Sequence, residues 1–183
     1  MQFLALDVSG TPRRWISHED VITYHAKKLV AYELGDDVFR FHGGFQKEGF
    51  QSIIESKPIV AIKGKGFEVK KRGEVILSNK TLFGRDRNTC AYCLRTLPYQ
   101  QLSRDHIVPT SKGGKDVWQN IVCSCKSCNH AKGNKTLEDS GFKLHYVPYI
   151  PNYAEAMIIQ NRDIRGDQME FLMAMVPKHS RLL

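Results

Sequence analysis

A chain of 183 residues with 42% hydrophobic and 10% aromatic side chains is a folded protein, one ordinary domain or a core with a second small lobe, and not a disordered segment. Its formal net charge of +8 favours an anionic partner. No apolar run approaches the roughly 18 residues of a membrane span, and MQFLALDVSG lacks the basic start and cleavage site of a secretory leader, so a cytoplasmic location without a membrane partner is expected.

FLALDV at residues 3–8 predicts a strand ended by the turn Ser9-Gly10-Thr11-Pro12. Ser17 with Asp20 three residues on has the form of a capping box, and Ile22, Ala26, Leu29 and Val30 recur at helical spacing as far as Gly35. A helix over 18–33 is therefore expected. Val38–Phe41, Ile59–Ile62 and Phe67–Lys71 read as short strands punctuated by Gly43, Gly44, Gly64, Gly66 and Gly73. Residues 1–80 thus form an α+β accessory lobe with no chemical motif of its own. Toward its end the chain turns basic: Lys63, Lys65, Lys70, Lys71, Arg72, Lys80, Arg85 and Arg87 face only Glu68, Glu74 and Asp86. Such a run is either a solvated face or an anion contact, and its place just ahead of the cysteines favours the second.

At the other end, Pro148 and Pro151 exclude regular helix from YVPYIPNY, which reads as a strap. Helices are expected over 153–162 and 167–176, with Phe171, Leu172 and Met175 as a packing face and Met173 and Met175 as core filler.

The middle carries the chemistry. Without a secretory signal, five cysteines argue for metal or redox work, and two CxxC pairs far apart favour metal. Cys90, Cys93, Cys125 and Cys128 supply four thiolates for a tetrahedral Zn²⁺. Such a closed site leaves no position for substrate and is structural. Cys123 offers an alternative sulfur in Cys123-Ser-Cys125, although the symmetry of the two CxxC units favours Cys125 with Cys128 and leaves Cys123 as a small buried residue. Between Cys93 and Cys125 lie 31 residues, against about 15 to 20 in an ordinary ribbon, so the clip closes the base of an independent functional element.

Within that element, Asp105-His106-Ile-Val-Pro109, Ser111-Lys-Gly-Gly114, Trp118-Gln-Asn120 and Cys125-Lys-Ser-Cys128-Asn129-His-Ala-Lys132-Gly133-Asn134, together with Cys90-Ala-Tyr-Cys93, resemble the HNH endonuclease family, in particular its standalone bacterial branch with a four-cysteine zinc clip. The resemblance spans 83–145, with Phe83-Gly-Arg85-Asp-Arg87 and Gly141-Phe-Lys-Leu144 as flanks. One position departs from it: the glycine that often follows the first CxxC is Leu94.

The resemblance implies a ββα-metal fold with His106 on a strand, Asn120 in a loop and the third motif residue on a helix. His106 would be the general base, its ordinary pKa of about 6.5 letting it accept a proton near neutrality. Asp105 and Asn129 would hold one Mg²⁺ or Mn²⁺ through oxygens. Asn120 would hold the His106 segment across the loop. Lys112, Lys115, Lys132 and Lys135, with Arg85 and Arg87, are candidate phosphate contacts that position DNA without reading its sequence.

The expected architecture is thus α+β: an N-terminal lobe over 1–80, a zinc-stapled HNH core over 81–145, and a strap with helices over 146–183. The expected activity is metal-dependent hydrolysis of DNA phosphodiester bonds, and cutting both strands would call for a homodimer. The alternative is a non-catalytic zinc-dependent nucleic-acid-binding module, which has no use for Asp105-His106 beside an oxygen ligand.

Overall fold

Phe3-Leu-Ala-Leu6 forms strand β1 with all four side chains buried, the pattern of a central strand covered on both faces. The computed structural model describes residues 1–47, 49–64 and 75–183, so the predicted strand Phe67–Lys71 lies outside the described residues. The fold is α+β. It divides into two units, one of residues 1–73 with 160–176 and the other of residues 74–159 with 177–183.

In the first unit β1 is followed by β2 (Pro12–Ile16), helix α1 (His18–Ala26), β3 (Val30–Leu34), the hairpin of β4 (Phe39–Phe45) and β5 (Gln51–Ser56), and β6 (Ile59–Ile62). Four of these form a sheet in the order β2-β1-β6-β3, with β1 parallel to β6 and the outer pairings antiparallel. Phe3, Ala5, Ile16, Val21, Val60 and Ile62 make its core, and Phe39 and Phe41 pack against it from the hairpin. A further helix, Gly166–Met173, ties in through buried Gln168, whose amide donates to the carbonyls of Gln2 and Pro58.

The Ser17–Asp20 capping box starts α1 as the sequence predicts. Its end does not follow the prediction of a helix over 18–33. Lys28 turns left-handed at φ 57°, its N–H bonds His25 O and the next N–H, of Leu29, bonds Tyr24 O. That is a Schellman closure made without glycine. Val30, which continued the helical spacing, instead pairs with Ile62 in the sheet. At the far end Leu172 is fully buried as expected, whereas Met175 is 39% exposed and is no core filler.

The second unit opens with helix α2 (Asn79–Arg85), capped reciprocally by Ser78 and Thr81. Strands β7 (Leu102–His106) and β8 (Ile121–Cys125) pair antiparallel from Leu102↔Cys125 to His106↔Ile121, and helix α3 (Lys126–Lys132) follows directly. The helix Tyr153–Gln160 closes the run of regular elements after the strap. Cys90, Ala91, Tyr92, Val122 and Cys125 form the core here, with Leu97, Ile107, Leu137, Phe142 and Leu144 around it.

Arg85, expected at phosphate, is fully buried and serves this core. Its guanidinium donates to both carboxylate oxygens of Asp86 at 2.8 and 3.0 Å and to the carbonyls of Trp118, Ile121 and Tyr149. The planar fork presents five donors, and this site uses all of its reach. No helix among the described residues is long and apolar enough to cross a membrane.

Candidate active site and cysteine cluster

The sulfurs of Cys90, Cys93, Cys125 and Cys128 all lie within 4.8 Å of one another, with Cys93 and Cys125 4.0 Å apart. Tetrahedral Zn–S bonds of about 2.3 Å put sulfurs roughly 3.8 Å apart, so the cluster fits zinc. Cys125 is the N-cap of α3 and its sulfur accepts the Cys128 N–H, which sets the second pair in one turn. Cys123 lies outside the cluster. It is fully buried, and burial followed by the Asp86 charge pushes its thiol far above the ordinary range.

Arg95, which the sequence did not single out, donates from Nε to Cys93 Sγ at 3.4 Å and from Nη2 to Cys125 Sγ at 3.8 Å. Desolvation pushes the Cys93 thiol up, but hydrogen bonds from Arg95 and then from Cys90 and Cys128 together outweigh it and bring it down to about 6. The Cys128 thiol is pushed the other way, by burial first and then by its Cys125 neighbour. Four sulfurs this close cannot all ionise without a cation among them, which is what a metal would supply.

The long insert is built on β7. Alternation along the strand turns Ser103 and Asp105 toward α3, and Arg104 and His106 toward the opposite face. Asp105 is 5% exposed. Its Oδ1 accepts from Lys132 Nζ at 3.2 Å, and its Oδ2 accepts from the Tyr92 hydroxyl in a short hydrogen bond. The Lys132 ammonium also donates to His106 O at 2.8 Å. Lys132, a candidate phosphate contact, is therefore buried against Asp105, its side chain 0% exposed.

Asn129 fixes its amide by donating from Nδ2 to Arg104 O at 3.1 Å and to Ser103 Oγ at 2.9 Å. Because a carbonyl can only accept, this settles which end of the amide is which. Oδ1, the atom with lone pairs for a cation, is the other end. His130 beside it is exposed. Asp105 and Asn129 together offer an all-oxygen donor set, which fits Mg²⁺ or Mn²⁺ and not a thiophilic ion.

Asn120 staples the loop after His106. Its Oδ1 accepts from Val108 N at 2.9 Å, and its Nδ2 donates to Val108 O at 3.0 Å and Lys115 O at 2.9 Å. The staple holds Gly114 so close that a Cβ there would stand 1.8 Å from Val108 O. His106 Nε2 lies 3.0 Å from Asp116 Oδ1, and Arg104 Nη1 donates to both Asp116 oxygens at 3.0 and 2.9 Å. Desolvation raises the Asp116 carboxyl, and the Arg104 and His106 contacts more than offset it, holding it below the usual carboxylate range.

Asp105, His106 and Asn129 line one cleft of about 230 Å³, together with Arg104, Thr110, Ser111 and Asn134. At about 30 Å³ per water this is room for a phosphate and its hydration. Of the remaining basic candidates, Lys115 and Lys135 are exposed, Lys112 pairs with Asp139 at 2.6 Å, and Arg87 Nη1 reaches the carbonyls of Arg181 and Leu183. Tyr92, Arg104 and Asp116 escaped the sequence reading. The signals were present: Tyr92 stands between two cysteines, and Arg104 shares its strand face with His106.

The family model described as HNH endonuclease matches residues 90–145. A stretch of 51 residues is 37% identical to the CRISPR-associated endonuclease Cas9 of Corynebacterium diphtheriae, and this match covers 27% of the present chain and 5% of that protein. The matched family segment begins at the first clip cysteine and contains both CxxC pairs and the whole cleft between them. Residues 90–145 are thus a domain of the HNH endonuclease family.

Proposed function

We propose that the unit holding this domain hydrolyses phosphodiester bonds within DNA, with His106 taking the proton of the attacking water. The observation that carries the proposal is the convergence of Asp105, His106 and Asn129 on one open, polar cleft. In this reading Asp105 and Asn129 hold Mg²⁺ or Mn²⁺, which when bound stabilises charge on the phosphate and on the departing 3′ oxygen. Lys132 steadies the Asp105 carboxylate and the His106 carbonyl from beneath. Asn120 keeps the loop closed behind His106, and the four cysteines hold structural zinc in place of the large core that so small a domain lacks. Exposed Lys115 and Lys135 lie on the surface available to phosphates.

Supercoiled plasmid incubated with the zinc-loaded protein, with and without Mg²⁺ or Mn²⁺, should be nicked only with the added ion. His106→Ala should lower the rate by about 10² to 10⁴ while DNA binding persists. Equal cleavage by that variant would overturn the assignment of the base. Salt-dependent DNA retention without cleavage by the wild type would select the binding module instead.

A further inference from the structure

Beyond those roles, and resting on the reading of His106 as the base, we propose that Asp116 is the positioning residue of His106, held for that task by Arg104. Arg104 and His106 project from the same face of β7 and meet Asp116 across the loop. Arg104 is itself anchored at its other end, donating from Nε to Asn79 Oδ1 at 3.2 Å. An imidazole with one fixed partner cannot rotate about its ring axis without losing that bond.

The arrangement also assigns the two ring nitrogens. Asp116 sits beside an arginine that can only donate, so its oxygens act as acceptors. The contact at Nε2 therefore uses an Nε2–H, and in the neutral ring the lone pair falls to Nδ1. Asp116 does not line the cleft, whereas His106 does. Its partners Arg104 and His106 both line it, so the effect of Asp116 passes through these two side chains and not through direct contact with the substrate, and ring spectroscopy isolates the His106 route. Among the described residues, the neighbouring charged groups Asp105 and Lys132 do not bond the ring: the Asp105 oxygens accept from Lys132 and Tyr92, and Lys132 reaches His106 at its backbone carbonyl.

Asp116→Asn is the informative variant, because Asp116 is half exposed and its loss should leave the fold intact. Arg104 would hold the amide oxygen and turn the amide N–H toward His106, which then has to offer a lone pair at Nε2 and move its proton to Nδ1. Asp116→Glu keeps an acceptor within reach. The zinc-loaded protein would be examined at about pH 8, above the ordinary histidine pKa of about 6.5, by ¹⁵N spectroscopy of the ring, with the His106 signal identified by its loss in His106→Gln. The wild type should show Nε2–H and Asp116→Asn should show Nδ1–H. In the plasmid assay Asp116→Asn should lose on the order of 10² in kcat with KM changed less than about twofold, and Asp116→Glu should recover part of the loss.

A wild-type ring protonated at Nδ1, unchanged kcat in Asp116→Asn, or a loss confined to KM would each overturn the proposal. The spectroscopic arm needs no cleavage, so it decides the positioning role even if the wild type fails to cut DNA.

Discussion

The Tyr92 hydroxyl, carried between the two cysteines of the first CxxC pair, donates to Oδ2 of Asp105 in the cleft. The cysteine cluster and the candidate active site are therefore joined by one side chain as well as by the chain itself. Tyr92 is held by an edge-on contact with Phe142, ring centroids 5.0 Å apart. Tyr92→Phe keeps that packing and removes the donor. A hydrogen bond to a charged group contributes about 1.5 to 3 kcal/mol, so the variant should unfold at lower denaturant by that amount, yet bind zinc at the wild-type stoichiometry. Zinc loss in Tyr92→Phe would show that the residue serves the cluster and not Asp105.

The same bond has a pH signature. Burial first, then the Asp105 carboxylate, push the Tyr92 hydroxyl well above its usual pKa, and burial with the Asp86 charge does the same to Tyr146. A group whose folded pKa exceeds its unfolded value stabilises the fold below the unfolded pKa, here about 10, and loses that contribution as pH rises beyond it. The contribution of these two tyrosines should be constant up to about pH 10 and fall above it. Tyrosinate absorbance from these two residues should appear together with loss of the folded circular dichroism signal; ionisation without unfolding would contradict their burial.

Two of the basic residues that the sequence offered as phosphate contacts have turned inward, and the distinction is measurable. Arg85→Met removes one partner of a fully buried pair and should cost about 3 to 5 kcal/mol of stability. Lys115→Ala and Lys135→Ala sit on the surface and should leave stability within about 0.5 kcal/mol. Each should reduce the salt dependence of DNA binding by about one phosphate's worth of slope. An Arg85→Met protein of normal stability but weak DNA affinity would reverse the assignment.

What the sequence revealed and what it hid follow from the range of the interactions. The cysteine spacing, the Ser17 cap and the buried run of β1 are local patterns and were legible. The end of α1 was not, because Lys28 adopts a left-handed turn that composition assigns to glycine, and Val30 fits helix and sheet alike until Ile62 claims it. Arg85 and Lys132 read as surface cations because their carboxylates and carbonyls arrive from elsewhere: Trp118, Ile121 and Tyr149 for one, Asp105 and His106 for the other. Asp116 lies ten residues from His106 with no periodic relation to it, and only the loop stapled by Asn120 brings them together.

Leu94 marks a local conflict. It stands where the resemblance leads one to expect glycine, and the backbone there is left-handed with φ 59°. Its side chain is half exposed, so little packing offsets the strain. A left-handed conformation costs a non-glycine residue about 1 to 2 kcal/mol, and glycine gives back about 0.5 to 1 through the unfolded chain. Leu94→Gly should therefore stabilise the zinc-loaded protein by about 0.5 to 1 kcal/mol, read as a small rise in Tm. A fall in Tm would mean that Leu94 contributes packing its exposure does not show.

The last expectation concerns Asn129 and His130, adjacent residues of which one faces the cleft. On a helix they point about 100° apart, and α3 starts at Lys126 with Cys125 as its cap, which sets the register. Asn129 lines the cleft and is clamped by Arg104 O and Ser103 Oγ, while His130 is exposed. Asn129→Ala removes both the clamp and the oxygen and should abolish cleavage in Mg²⁺ and in Mn²⁺. Asn129→Asp keeps an oxygen but sets it against the Arg104 carbonyl, 3.1 Å from the present nitrogen, so it should fall between wild type and the alanine variant and need more cation for half-maximal rate. His130→Ala should stay within about threefold of wild type, the effect of a surface change away from the reacting atoms. Rates across a Mg²⁺ and Mn²⁺ titration decide the point: an inactive His130→Ala beside an active Asn129→Ala would move the ligand to His130 and turn α3 by one residue relative to β7.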